Sequence, residues 1–218
     1  MFDRVAVPTP FRVGPVNAYL AGRTVVDPGP DSEEARAALV EALEQRNLAP
    51  ADVEQVLVTH PHPDHFGLAA RLREAGASVV ASPDAAAVVE DFPGHVADEQ
   101  VFFRAFFVRC GMAESTAETV TDLPQSFVHY APSTDVDRTV STGDTVTVAD
   151  RALAVECVAG HAAGELLFAF DAEGEHTALV GDHVLPETTP APFLQLPPES
   201  GGDRPAVLPA YDRSEGVV

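Results

Sequence analysis

The sequence contains no lysine, so all of its basic side chains are arginine. Thirteen arginines stand against thirty-four aspartates and glutamates in 218 residues, which gives a formal net charge of −21 at pH 7. A chain this poor in positive charge argues against binding to nucleic acid, because the phosphate backbone requires clusters of Lys and Arg. We therefore expect no nucleic-acid partner.

Cysteine is also scarce, and long apolar runs are missing. Cys110 and Cys157 form neither a disulfide framework nor a C-x-x-C motif, so we expect buried free thiols. No apolar run approaches the ~20 residues of a membrane helix, and the amino-terminal segment lacks the apolar core of a signal peptide. These absences predict a soluble, cytoplasmic protein with no membrane partner.

The excess of carboxylates has two explanations. A GC-rich coding bias favours Arg over Lys and Ala over Ile, but it does not account for thirty-four Asp and Glu residues. A salt-adapted cytosol favours a carboxylate-rich surface, because dense counterions screen its self-repulsion. We favour salt adaptation, which makes the protein halophilic.

Dialysis into low salt is then expected to loosen or unfold the protein. The Debye length grows from ~3 Å at 1 M salt to ~10 Å at 0.1 M, so repulsion among surface carboxylates reaches further as salt is removed. Thermal melting before and after dialysis measures the effect. An unchanged melting temperature in low salt would refute salt adaptation.

Length and composition fit one domain over residues 1–218, since a chain of this size with 45% hydrophobic residues can bury a sizeable core. After an initial β-meander, strand and helix patterns alternate through the first ninety residues, and the chain is β-rich from Thr139 onward. This predicts an α/β fold with helices packed on an outer sheet face. Residues 92–138 are interpreted as a helical insert and residues 186–218 as an irregular, proline-rich tail.

Four phenylalanines in the insert are spaced as a helical stripe. They are Phe102, Phe103, Phe106 and Phe107, at positions i, i+1, i+4 and i+5. Such a stripe either packs into the core or forms one wall of a substrate cleft. The core interpretation is the commoner outcome, and both stay open at this point.

The segment THPHPDH, from Thr59 to His65, concentrates potential metal ligands after the apolar run Val56–Val58. His60 and His62 are two residues apart in an extended loop, so both rings can point to the same side. Asp64 and His65 follow at the expected start of a helix. Because Pro61 and Pro63 restrict the backbone, the ligands lose less entropy on converging. Imidazole and carboxylate groups in this pattern predict a site for zinc, iron or manganese.

Two later segments add potential ligands at strand ends. His161 lies between two glycines directly after a predicted strand that ends at Val158, and Asp182 follows Gly181 after another. Each signal is weak alone, since Gly-His is common and Gly-Asp usually marks an ordinary turn. With the loop they supply six ligands at strand ends, where ligands collect in layered α/β folds.

The order H-x-H-x-D-H, then G-H-x-x-G, then G-D resembles the metallo-β-lactamase superfamily, and within it the glyoxalase-II-like hydrolases. Val16–Leu20 is similar to the family's V-N-x-Y-L strand, and Asp27–Gly29 to its D-x-G turn. Residues 181–186 resemble a G-D-H-x-L-P variant of the last motif. The resemblance covers roughly residues 5 to 195.

This resemblance implies a four-layer αβ/βα sandwich that holds one or two Zn²⁺ ions, with Fe or Mn as alternatives. It places His60, His62 and His161 around the first metal. It places Asp64, His65 and a later histidine around the second, with Asp182 bridging both. The implied nucleophile is a metal-bound hydroxide, Asp64 is the catalytic group that handles the proton, and Thr59 orients a ligand.

The sequence departs from the family at the last ligand, which normally lies in a P-G-H segment after the bridging aspartate. Here only His183 follows Asp182, and no P-G-H is present. We favour a C-terminally incomplete chain. The alternatives are that His183 or a water completes the second site, or that a symmetric partner in a homodimer supplies the missing wall. The first metal's ligands are complete in every case.

The predicted function is that of a metal-dependent hydrolase acting on a small-molecule ester or thioester. Nuclease members of the family are disfavoured by the acidic charge. A single-iron sulfur dioxygenase remains an alternative, since its ligands overlap the first metal site plus Asp182. A catalytically silent metal-binding remnant is the runner-up from another class.

Overall fold

Two β-sheets form the centre of the protein, whose computed structural model describes residues 2–172, 174–185, 191–197 and 203–214. The first sheet contains β1 (Asp3–Val7), β2 (Val16–Ala21), β3 (Thr24–Val26), β4 (Gln55–Leu57), β5 (Ser78–Ala81) and β6 (Arg138–Thr139). The second contains β7 (Thr145–Val148), β8 (Arg151–Val158), β9 (Glu165–Ala172) and β10 (Glu175–Leu179).

The first sheet is mixed, with strand order β1-β2-β3-β4-β5-β6. β1 to β3 form an antiparallel meander, whereas β3, β4, β5 and β6 pair in parallel, with Val25 opposite Val56 and Val56 opposite Val79. The carboxyl ends of parallel strands meet at one edge of a sheet. The turn at Asp27 and the loop from Thr59 to His65 therefore leave the sheet side by side.

The second sheet is antiparallel, in the order β10-β9-β8-β7. β8 ends at Val158, just before His161, and β10 ends at Leu179, just before Asp182. The Leu166 N–H donates to the Thr59 carbonyl over 2.8 Å, which ties β9 to the loop that follows β4. The two sheets thus deliver their ligand-bearing ends to the same place.

The described helices are α1 (Glu33–Glu44), α2 (Pro63–Phe66), α3 (Ala69–Glu74), α4 (Pro83–Glu90), α5 (Phe92–Arg109), α6 (Glu114–Asp122) and, near the end of the chain, α7 (Val207–Ser214). The first five contribute residues to the apolar layer on the outer face of the first sheet. Short 3-10 segments lie at Pro50–Asp52 and Leu123–Tyr130. The hydroxyl of Ser32 accepts the Ala35 N–H and caps α1, whose buried face includes Leu39 and Leu43.

The core has two apolar layers, one on each face of the first sheet. One layer joins that sheet to the helices through residues such as Val56, Val79 and Leu39. The other joins the two sheets, and it includes Leu57 and Phe168. Adjacent residues Val56 and Leu57 enter opposite layers because successive side chains of a strand point to opposite faces. α7 lies on the side of the second sheet, where Tyr211 approaches Gly160 at the end of β8.

Several sequence expectations need correction. The tail was expected to be irregular, yet residues 207–214 form α7; residues 186–190, 198–202 and 215–218 lie outside the described part of the chain. The helix expected to start at Asp64 and His65 is split into two short helices, α2 and α3. Both cysteines are exposed, not buried. Cys157 is exposed near the end of β8, although Leu153 and Val155 on the same face of that strand are buried, and Cys110 follows the last turn of α5.

The phenylalanine stripe of α5 matches neither interpretation fully. Only Phe103 of the four is buried, and the other three rings are half-buried and pack mainly against one another. As a whole, α5 packs chiefly against α6, which follows it in the chain. None of the described helices has the length and apolar character needed to cross a membrane.

Candidate metal centre

The loop after β4 takes its shape from backbone bonds and prolines. The Val58 N–H donates to the Val80 carbonyl, so the chain stays aligned with β5 as far as the loop. His62 then occupies the cap position of α2, with Pro63 at the first helical position. Proline suits that position because its missing N–H would have no partner there. The result is an extended stretch for His60 and His62 and a helical turn for Asp64 and His65.

Three histidines converge at the first candidate site. One ring nitrogen each from His60, His62 and His161 lies within 4.8 Å of the others. The Nδ1 atom of His62 is 3.0 Å from Nε2 of His161. Nε2 of His60 is buried and has no hydrogen-bond partner among the described residues. A buried unpartnered nitrogen is costly unless a ligand satisfies it, and a divalent ion does so.

A second group of ligands adjoins the first. Nε2 of His65 lies 3.4 Å from Oδ1 of Asp182 and 3.8 Å from Oδ2 of Asp64. The other Asp182 oxygen, Oδ2, is 3.7 Å from Nε2 of His161. Asp182 therefore presents one oxygen to each group, and its carboxylate would be available to a metal held by either one. All six ligands expected from the sequence lie together in one cluster.

Asp27 orients Thr59 and His65 of this cluster through hydrogen bonds. Its Oδ1 accepts the Thr59 N–H over 2.8 Å, and its Oδ2 accepts the Thr59 hydroxyl over 2.6 Å and the His65 Nδ1–H over 3.0 Å. Asp27 also lies close enough to His60 and His65 to form a potential ligand group with them. Both of its oxygens are already occupied, however, so we assign it an orienting role.

The same contacts fix the tautomer of each ring. The Thr59 hydroxyl donates to Asp27, so it accepts the proton on Nδ1 of His60, 3.0 Å away. Nδ1 of His161 donates to the Ala191 carbonyl over 3.0 Å. In His60, His65 and His161, Nδ1 is thus engaged by these partners, and Nε2 is the nitrogen that faces the cluster and could bind a metal. Sequence reasoning identified Thr59 but missed Asp27, which it read only as a turn residue; the signal was a carboxylate at the end of a neighbouring strand.

Burial keeps two of the rings neutral. It lowers the pKa of His60 well below its usual value, with repulsion from His65 and His62 adding to the effect. Burial, together with repulsion from His161 and His65, lowers the pKa of His62 to about 3. Neutral imidazoles have the free lone pair that binds a cation.

Carboxylates and burial together shift the pKa values in the second group of ligands. Burial alone lowers the pKa of His65, but the carboxylates of Asp64, Asp182 and Asp27 outweigh it and hold that pKa well above its usual value. Burial raises the pKa of the Asp64 carboxyl. For Asp182 burial acts in the same direction, yet its hydrogen bond with His65 and the charge of that ring prevail and lower the pKa. This concentration of negative charge favours a cation at the centre.

His183 contacts Glu165 and Tyr211, and its buried Nε2 has no hydrogen-bond partner among the described residues. Its ring is fully buried, and Nδ1 donates to Oε2 of Glu165 over 3.1 Å. Its backbone carbonyl accepts the hydroxyl of Tyr211 over 2.8 Å. Among the described residues, His183 belongs to neither group of potential ligands. The structure therefore gives no support to His183 as the missing ligand of the second site.

Sheets, helices and convergent ligands define the class of the protein as an α/β sandwich with a candidate site for divalent metal ions. Residues 11–213 match the sequence profile of the Metallo-beta-lactamase superfamily. The chain belongs to this superfamily. Its members bind divalent metals in this fold, and the cluster described above offers the His and Asp groups for such binding.

Known relatives agree with this assignment. A metallo-beta-lactamase family protein from Thermus thermophilus superposes with a TM-score of 0.70 at 28% identity, over 87% of this chain and 61% of that one. A beta-lactamase domain protein from Burkholderia ambifaria gives 0.71 at 27% identity, over 99% and 63%. The probable metallo-hydrolase YqjP of Bacillus subtilis (strain 168) is 48% identical over 67 residues, 29% of this chain and 21% of the relative.

The chain therefore spans less than two thirds of these relatives. The comparisons support the fold and the metallo-hydrolase family. The glyoxalase-II-like subtype stays a prediction.

Asp27→Asn is expected to weaken metal binding by roughly 10- to 100-fold, the usual cost of losing an outer-shell partner. An amide in place of the carboxylate presents a donor to Nδ1 of His65, which moves the ring proton to the ligating nitrogen. Competition between the metal-free protein and a chromophoric chelator measures the affinity for Zn²⁺. Asp31→Asn is the matched control, since Asp31 pairs with Arg71 outside the cluster. Equal affinities in the two variants would contradict the role of Asp27.

Proposed function

We propose that the protein is a metal-dependent hydrolase of small esters or thioesters, with zinc as its metal and a glyoxalase-II-like mode of action. The observation that carries this proposal is the position of Asp182 between the two ligand groups, with one oxygen 3.4 Å from His65 and the other 3.7 Å from His161. That arrangement suits a pair of adjacent ions, which clamp the attacking and leaving oxygens in many hydrolases.

A bound divalent ion polarises a carbonyl and lowers the pKa of water, which is the chemistry that ester hydrolysis needs. The chain's own residues then supply orientation and proton handling. His60, His62 and His161 hold the first position. Asp64 is partly accessible, with 13% of its side chain exposed, and its Oδ2 lies 3.8 Å from Nε2 of His65. We assign the proton transfer to this carboxylate.

Zinc-loaded protein is expected to hydrolyse simple thioesters, with the released thiol detected by a chromogenic disulfide. Metal per chain is measured by mass spectrometry in the same samples. A chelator should abolish turnover, and added Zn²⁺ should restore it.

Two results would overturn this function. Stoichiometric metal without turnover on any ester or thioester would favour a silent metal-binding protein. Bound iron with oxygen consumption in the presence of a persulfide would favour a sulfur dioxygenase.

A further inference from the structure

A segment of the tail, residues 191–197, lies against the ligands of the first site. The Ala191 carbonyl accepts the Nδ1–H of His161 over 3.0 Å. Four residues on, Nε2 of Gln195 donates to the Gly160 carbonyl over 3.4 Å. Hydrogen bonds on both sides of Phe193 thus attach this segment to the loop that carries His161.

The ring of Phe193 packs on two of the predicted ligands. Its centroid lies 5.5 Å from that of His62 and 5.4 Å from that of His161, with interplanar angles of 89° and 68°. Such tilted contacts are favourable between aromatic rings. Even so, 51% of Phe193 is exposed. Much of its apolar surface therefore faces solvent beside the metal ligands, without a described partner to cover it.

Two further exposed apolar side chains lie close to Phe193 or to Asp182 in the chain. Leu194 follows Phe193 in the chain and is 37% exposed, and Val184 is two residues beyond Asp182 and is 42% exposed. An isolated exposed apolar residue needs no explanation, but several around a polar centre indicate a binding surface.

The charge of the centre argues against an anionic substrate group. Among the described residues, the ion pairs of Asp27, Asp64 and Asp182 are all with histidines, and none is with an arginine. The chain as a whole carries a net charge of −21. A bound divalent ion would offset the charge of these aspartates, but the described ion pairs of the centre include no arginine that could also pair with a carboxylate on the acyl group. A neutral apolar acyl group needs no such partner.

We propose that Phe193 is a specificity-determining residue that receives the neutral, apolar acyl chain of the substrate beside the metal ligands. This inference rests on the proposed function, because it takes the ester or thioester carbonyl to bind at the metal centre. The ring contributes apolar surface at the point where the chain leaves the carbonyl carbon. Substrates with longer straight acyl chains are thereby preferred over acetyl derivatives.

The test uses binding, so it does not depend on turnover. Straight-chain alkyl hydroxamic acids carry an oxygen-donor head that binds zinc and an apolar tail that imitates the acyl chain. Their dissociation constants for zinc-loaded protein are measured by calorimetry, from acetohydroxamate to hexanohydroxamate. Full burial of a methylene gives about fourfold tighter binding. Contact with one aromatic ring should give roughly half of that binding free energy for each methylene. Hexanohydroxamate is therefore expected to bind on the order of tenfold more tightly than acetohydroxamate.

Three variants test whether Phe193 itself contacts the acyl chain or whether changes in the tail affect ligand binding in general. Phe193→Ala is expected to reduce the hexanoyl preference from about tenfold to about twofold, while acetohydroxamate binds as in the wild type. Phe193→Leu keeps an apolar wall and should retain most of the preference. Leu208→Ala removes another exposed apolar side chain, 63% exposed on α7, and should leave the preference unchanged.

An equal chain-length dependence in Phe193→Ala and the wild type would overturn the proposal. So would weaker binding of all hydroxamates alike with reduced zinc content, because it would show that Phe193 only shields His62 and His161. A chain-length preference that depends on Phe193, in a protein that hydrolyses no ester, would retain this inference and reject the proposed reaction. Hydrolysis with no chain-length preference would do the reverse.

Discussion

Alanine at His60 is expected to remove metal from the first site and to lower thioester hydrolysis by on the order of 10³-fold or more. A metal ion contributes several kcal/mol of transition-state stabilisation, and each 1.36 kcal/mol is tenfold in rate. His60 is fully buried, and its Nε2 atom has no partner among the described residues. Metal per chain and the rate of thiol release, measured on one preparation, check the prediction.

His176→Ala is the matched control, because the same side chain is removed from a position that is 98% exposed on β10. Its nearest charged group is Asp171, at 2.7 Å, on the neighbouring strand. Metal content and rate should stay within about twofold of the wild type, as is usual for surface substitutions. Stoichiometric metal and normal turnover in His60→Ala would show that the histidine cluster is not the metal centre.

Gly67→Ala is expected to destabilise the protein by about 3 kcal/mol, at the upper end of the cost of overpacking. A methyl group there would lie 2.1 Å from the Tyr130 carbonyl oxygen, 2.5 Å from the Asp31 nitrogen and 2.8 Å from Cα of Pro30. All three are backbone atoms, so no side chain can rotate away. The Asp31 N–H also donates to the Tyr130 carbonyl, and this bond would be strained. Urea unfolding of metal-free protein measures the loss.

Gly76→Ala tests whether the effect comes from packing. Position 76 has open space around it, but its φ of +119° disfavours any side chain, so the cost is backbone strain of about 1 kcal/mol. Gly67 lies just after His65, and the Leu68 N–H donates to the Gly29 carbonyl. Gly67→Ala should therefore also lower the affinity for metal, whereas Gly76→Ala should bind metal normally. Equal stability of the two variants would contradict this close approach.

Local patterns accounted for most of the secondary structure. The strands around Val56 and Val79 and the helix capped by Ser32 were predictable, because caps, apolar periodicity and strand ends are properties of neighbouring residues. α7 was missed because prolines obscured a short amphipathic helix at residues 207–214. The burial of the cysteines was predicted wrongly, since composition does not tell how far along β8 the packing between the sheets extends, and it stops short of Cys157.

In the candidate site, too, features formed by neighbouring residues were predictable and contacts between distant segments were not. The cluster in the loop Thr59–His65 was visible, because its ligands are adjacent in the chain. Asp27 was not recognised as an orienting group, because its contact with Thr59 depends on the parallel pairing of β3 with β4. Nothing in the sequence indicated that Phe193 lies at the site either. Its position on His62 and His161 joins residues far apart in the chain.

The order and chemistry of the ligands could be read from the chain alone, as could the alternation of strands and helices and the surplus of negative charge. Folding was needed to bring β4, β8 and β10 to a common edge, to place Asp182 between two groups of histidines, and to cover one side with residues 191–197. The physical reason is the distance along the chain over which each effect acts. Backbone preferences act over a few residues, whereas coordination and orientation depend on distances between segments that only the packing of two sheets sets.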